Sequence, residues 1–202
     1  MISKTAMITI CGRPNVGKST LTNALVGEKI AIVSNKPQTT RNRISAVVNR
    51  GDTQFVIIDT PGFHKPRTRL GDYMVNVVKE SVADVDAVML LVEPIANIGR
   101  QEEELIARIK ETGVPAILVI NKIDTVEKTE LLEVMALYSA AHDFDAIIPM
   151  SAKNGEGIDE LLAELEKYAQ EGPQLFPDDM ICDQPEKQIC AELVRHRVAD
   201  AE

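Results

Sequence analysis

Three things are scarce in this sequence: cysteine, net positive charge and long apolar runs. Cys11, Cys182 and Cys190 are the only cysteines, an odd and sparse set that implies no disulfide framework. No histidine stands at metal-ligand spacing from Cys182 or Cys190, which argues against zinc. Cys11 reads as a small buried residue ending a strand. The formal net charge is −9 over 202 residues, so bulk electrostatics will not hold a polyanion. Residues 171–202 carry −5 of that total, eight acidic against three basic side chains, and residues 1–170 the other −4. Lys36, Arg41 and Arg43 in "NKPQTTRNR" form a local basic exception. No apolar run approaches the roughly 20 residues that span a bilayer. "MISKTAMITIC" lacks the apolar core and small-residue cleavage site of a signal peptide. A cytoplasmic location is the expectation. Internal repeats and low-complexity segments are missing too.

What is there is enough for one well-buried core and a small appendage: 45% of residues are hydrophobic and 26% charged. Strand and helix patterns alternate. "AMITIC" is a short apolar strand leading into a glycine loop, and "STLTNALVG" a helix with Leu21, Ala24 and Leu25 on one face. "RISAVVNR" and "TQFVIID" flank Gly51-Asp52, a hairpin turn between antiparallel strands. "DAVMLLVE" and "PAILVIN" are continuous apolar runs, as strands covered on both faces require. "RQEEELIARIKETG" and "KTELLEVMALYSAAH" are amphipathic helices. "DAIIPM" is a last strand, followed by "GIDELLAELEKYAQEG", expected to be one helix closed by Gly172. Such alternation predicts an α/β fold, a mostly parallel sheet with helices on both faces. "EGPQLFPDD" reads as a linker, and "DQPEKQICAELVRHRVADAE" as one helix with no core of its own.

Ligands in such sheets sit beyond the carboxyl ends of the strands, and four unusual loops fall there. The first, "GRPNVGKST", fits G-x-x-x-x-G-K-S with Gly12, Gly17, Lys18 and Ser19, after a strand and before a helix. Its glycines let backbone N–H groups close around phosphates at a helix N-terminus. Lys18 would reach the β- and γ-phosphates and the Ser19 hydroxyl would ligate magnesium. Val16 and Thr20 belong to the same loop. The second, "IIDTPG", puts Asp59 where a carboxylate can hold magnesium or its water, and Gly62 where a backbone N–H can approach a γ-phosphate. At this point ATP and GTP are equally acceptable.

The third loop, "NKID", separates them. A carboxylate at Asp124 accepts both N1–H and the exocyclic amine of guanine, whereas adenine offers a bare N1 acceptor there. Asn121 would brace the loop and Lys122 would lie along base and ribose. The fourth, "SAK", would cover the base with the backbone N–H groups of Ala152 and Lys153, beside Ser151.

In this order the motifs resemble the translation-factor-like class of P-loop GTPases. "GRPNVGKSTLTNALVG", "KPQTTRNR", "IIDTPGFHKP" and "DQPEKQICAELVR" together resemble the Era family of bacterial ribosome-assembly GTPases. The resemblance covers essentially the whole chain. It implies a P-loop GTPase fold, a six-stranded mostly parallel sheet with one antiparallel strand. It also implies a GTPase domain over 1–172, a linker over 173–185, and at 186–202 the first helix of a C-terminal RNA-binding domain. No G-x-x-G loop of a KH module follows residue 175, so truncation is the expected explanation. Its expected partners are GTP or GDP and, through that further domain, the small ribosomal subunit and its rRNA. Peripheral membrane association rests on the resemblance alone, and the oligomeric state stays open.

The resemblance assigns Thr40 to magnesium and the γ-phosphate, with Thr39 as the alternative, and makes the segments around 34–43 and 62–72 the two switches. Many GTPases orient the attacking water with a glutamine after D-x-x-G. Here Phe63 stands in that place and cannot hydrogen-bond water, so a slow rate is expected. His64 is a weak candidate for a base, because the nucleophile in phosphoryl transfer needs positioning more than deprotonation. By resemblance Asn15 can hold a potassium ion beside the phosphates; equally, it can simply stabilise the turn. Two functions remain: a magnesium-dependent GTP-hydrolysing switch in small-subunit assembly, or a nucleotide-gated binding module with negligible hydrolysis.

Overall fold

The computed structural model describes residues 2–27, 44–59 and 85–176. Thr39, Thr40, Gly62, Phe63, His64 and the basic cluster at 36–43 lie outside the described residues, as does everything after Phe176. The strands are β1 (Lys4–Cys11), β2 (Ile44–Arg50), β3 (Thr53–Asp59), β4 (Ala87–Val92), β5 (Ala116–Ile120), β6 (Ala146–Pro149) and β7 (Gln170–Glu171). The helices are α1 (Lys18–Val26), α2 (Arg100–Thr112), α3 (Lys128–Ala141) and α4 (Ile158–Leu165). One sheet runs in the order β2-β3-β1-β4-β5-β6, with β7 beside β1. The β3-β1-β4-β5-β6 neighbours are parallel and β2 pairs antiparallel with β3 through the Gly51-Asp52 turn.

Central strands with alternate residues buried on opposite faces separate two hydrophobic layers. Ala6, Ile8 and Ile10 of β1 and Met89 and Leu91 of β4 pack with Leu21 and Leu25 of α1 and Leu161, Leu162 and Leu165 of α4. On the other face Val88, Leu90 and Val92 of β4 meet Leu105, Ile106 and Ile109 of α2 and Val134 and Tyr138 of α3. Burying each such aliphatic side chain contributes roughly 1.5–3 kcal/mol relative to leaving it exposed. Every residue of β4 is buried, as its unbroken apolar run demands. Cys11 is also buried, and burial pushes its thiol up to about 12.

The expected architecture stands, with one addition. The helix read through to Gly172 stops at Leu165, where its apolar stripe ends, and Glu166–Tyr168 form a 3₁₀ turn. Gln170–Glu171 then become a seventh strand, antiparallel to Lys4–Thr5. The reason is register. β4 pairs with β1 only from Ile8 onward, so the first residues of β1 have backbone groups to satisfy on that side. β7 supplies the partners. Residues 173–176, expected to open a linker, are likewise fastened to the sheet. The Gln54 side chain, fully buried, donates to Asn49 Oδ1 (3.0 Å) and the Phe176 carbonyl (2.9 Å). It also accepts from the Leu175 and Phe176 N–H groups, both at 2.9 Å.

Candidate nucleotide-binding site

The parallel strands end together, and the residues just past those ends converge. Asp59 closes β3 and pairs in register with Ile10, one residue before the phosphate loop begins to leave β1. The loop at 12–17 owes its shape to its two glycines. A Cβ on Gly12 would lie 2.4 Å from the Leu91 carbonyl oxygen of β4. Gly17 has φ +103°, and a Cβ there would lie 2.3 Å from Asn121 Nδ2. No side chain fits at either position. Gly17 then opens α1. Lys18 is buried, and its ammonium donates to the carbonyls of Gly12 (3.1 Å) and Arg13 (2.9 Å) on the loop's inner side. Ser19 and Thr20 follow in the helix's first turn, where N–H groups and the helix dipole favour an anion. Val16 is fully buried and anchors the loop in the core.

Asn121 joins this loop to the loops that follow β5 and β6. Its side-chain amide donates to the Val16 carbonyl (2.8 Å), and its Oδ1 accepts from the Ala152 N–H (2.9 Å). Asn121, expected to brace its loop, thus bonds the phosphate loop on one side and the residue after Ser151 on the other, and the Ala152 N–H, expected over the base, takes part in that link. Ser151, fully buried, donates its hydroxyl to Asp124 Oδ1 at 2.7 Å. That bond comes first among the interactions holding the Asp124 carboxyl below its usual value, with the charges of Lys153 and Lys122 adding to it. Asp124 is thus favoured in its ionised form, a hydrogen-bond acceptor. Lys153 is exposed beside it.

Lys122, expected along base and ribose, reaches toward the phosphate loop. Its ammonium donates to the Asn15 carbonyl at 2.7 Å and to Glu93 Oε1. Asn15 and Lys122, both at φ 65°, are the non-glycine residues with positive φ among the described residues. Such conformations cost on the order of 1–3 kcal/mol each. The two strained residues therefore stand at the two ends of one hydrogen bond. Glu93 also takes Arg13 Nη2, while Arg13 Nε faces Glu102 Oε1 at 3.2 Å. Partial burial pushes the Glu93 carboxyl up, but Lys122 and then Arg13 outweigh it and hold it below the ordinary value. Glu93, Arg13 and Glu102 were not read from the sequence. The available signal was position: Glu93 follows β4 at the same edge as the other loops.

A strand, a glycine loop closing on a buried lysine, and two further loops braced onto it by one asparagine define a P-loop GTPase fold. Residues 7–122 match the family described as 50S ribosome-binding GTPase. The chain belongs to that family and, within it, to the Era GTPases. It is 49% identical over 198 residues to the GTPase Era of Ruminiclostridium cellulolyticum, covering 98% of this chain and 66% of the relative. Against the GTPase Era of Alkaliphilus metalliredigens it is 47% identical, with 98% and 67% covered. Among solved structures, Era in complex with MgGDPNP and nucleotides 1506–1542 of 16S ribosomal RNA superposes with a TM-score of 0.91 at 38% identity, covering 96% of this chain and 66% of that one. An Aquifex aeolicus Era variant bound to GDP·AlF4− gives 0.90, also at 38% identity and with 96% and 66% covered. The chain thus spans about two thirds of the length of these relatives. No helix among the described residues is long and apolar enough to cross a membrane.

Proposed function

We propose that this chain binds GTP and GDP with magnesium and hydrolyses GTP slowly, as the switch of a small-ribosomal-subunit assembly factor. The observation that carries the reading is Asn121, whose amide locks the phosphate loop with one end and the base-covering loop with the other. The Asp124 carboxylate is thereby held at a set distance from the phosphate site. It would accept the guanine N1–H and exocyclic amine, while Lys18 and the N–H groups of the loop hold the β- and γ-phosphates.

Magnesium fits the donors present, since Ser19, Asp59 and Thr40 offer only oxygen, the ligand type it prefers. Bound there, it would offset charge on the β- and γ-phosphates. Ser19 lies in the first turn of α1, which follows β1, and Asp59 ends β3, the strand paired with β1, which supports this donor set. Gly62 would present its N–H to the γ-phosphate, and Phe63, unable to orient water, is the reason to expect a low rate. Potassium at Asn15 would add positive charge where an arginine finger otherwise acts.

The resemblance to an Era bound to 16S rRNA supports a ribosomal partner. Contact with that RNA would be made by the part of such relatives that this chain does not span. A domain boundary near residue 172, with a linker and one further helix after it, remains part of this reading.

A single-turnover assay with radiolabelled GTP tests it: GDP should appear over minutes to hours, only with magnesium. Tight nucleotide binding with no GDP after a day would replace the switch by the binding module. Titration with an rRNA 3′-end oligonucleotide should show no binding by these 202 residues.

A further inference from the structure

We propose that Glu93 is a positioning residue that couples the phosphate loop to the base-reading loop, so that each loop's grip on a guanine nucleotide depends on the other. The inference rests on the nucleotide-binding reading above.

One carboxylate receives cations from two separate loops, Arg13 from the phosphate loop and Lys122 from N-K-x-D. The same ammonium of Lys122 bonds the Asn15 carbonyl at the tip of the phosphate loop. Glu102, with its side chain 5% exposed, backs Arg13 from α2. The four side chains balance, two cations against two carboxylates. Glu93 sits at the end of β4, a strand buried along its whole length, so it is a fixed post between two loops that carry strained residues. Without its charge, Arg13 and Lys122 become like charges meeting at one point, and repulsion would part the loops that Glu93 holds together. Glu102 is buried and Glu93 and Arg13 are partly buried, so these charges are screened less than a fully exposed pair would be.

The test is mant-nucleotide binding to the 202-residue chain. Glu93→Gln keeps the shape and removes the charge, and should release mant-GDP about tenfold faster than the parent. Base selectivity is the discriminating readout. The parent should prefer GDP over inosine diphosphate, which lacks the exocyclic amine. Glu93→Gln should lower that ratio severalfold, and so should Arg13→Gln, although Arg13 belongs to the phosphate loop. Combining both changes should lower it no further than Glu93→Gln alone. Glu93→Asp, which keeps the charge on a shorter arm, should fall between and serves if the glutamine variant does not fold. An unchanged GDP preference in Arg13→Gln, or parental release from Glu93→Gln or Glu93→Asp, overturns the coupling. A parent that binds no guanine nucleotide overturns the function reading instead.

Discussion

The two edges of the sheet solve opposite problems. At the carboxyl edge the chain accepts strain: Asn15 and Lys122 hold positive φ, and glycines stand where no Cβ fits. At the amino edge the chain removes loose ends. β7 completes the pairing of β1, and Gln54 uses both amide hydrogens and both carbonyl lone pairs on residues 175–176 and on Asn49. Both edges rely on one buried side-chain amide, Asn121 above and Gln54 below. Asn121 joins loops read as meeting a nucleotide, whereas Gln54 joins strands to residues 175–176. Substitutions at the first edge should therefore appear in binding, and at the second in stability.

The sharpest break of that contrast is Asp124→Asn. Exchanging acceptor for donor should weaken GDP binding by several kcal/mol, through the lost charge-assisted pair. Xanthosine nucleotides, with a carbonyl at that edge, should gain affinity, as isothermal titration would show; unchanged GDP affinity would refute the base assignment. Gly17→Ala should come next. A methyl group at φ +103° beside Asn121 should cost about 1–3 kcal/mol in the loop, read as weaker mant-GDP binding. At the other edge Gln54→Ala removes the partner of the part-buried Leu175 and Phe176 backbone groups and should lower unfolding free energy by roughly 1 kcal/mol. Its nucleotide affinity should stay at the parental value, and a large loss there would erase the division between edges.

Two smaller effects sharpen it. Asp124 has its carboxyl held below the ordinary value by Ser151, so it takes up its proton at lower pH than an ordinary carboxylate. GDP affinity carried by that charge should be flat from pH 8 to 5 and decline only in stronger acid, which a pH series of titrations checks. Hydrolysis should run faster in potassium than in sodium, and Asn15→Ala should lose the difference. Equal parental rates would leave Asn15 as a turn residue.

The loops at the carboxyl edge stood out because the chemistry expected of them restricts residue type: a carboxylate for guanine, glycines for close approach, lysine for phosphate. Long apolar strands and helices with clean periodicity were legible for the same reason, since burial on one or two faces leaves a period of two or 3.6. Glu93 and Arg13 were missed because an ion pair between loops far apart in sequence leaves no local pattern. β7 is two residues long and carries no alternation to detect. The end of α4 was overrun because "EKYAQEG" still suits a helix; what overrides it is the vacancy beside Lys4 and Thr5, a property of strand register. Gln54, a polar residue inside an apolar strand, is fully satisfied only once residues 175–176 arrive, more than a hundred positions later.

Strand β4 has a consequence for how the molecule comes apart. Its residues alternate between the two hydrophobic layers, Met89 and Leu91 in one and Leu90 and Val92 in the other. Neither layer can open without exposing half of the same strand, and β4 is paired along one side to β1 and along the other to β5. The described core should therefore melt as a single cooperative unit. Calorimetry should give one transition whose van't Hoff and measured enthalpies agree.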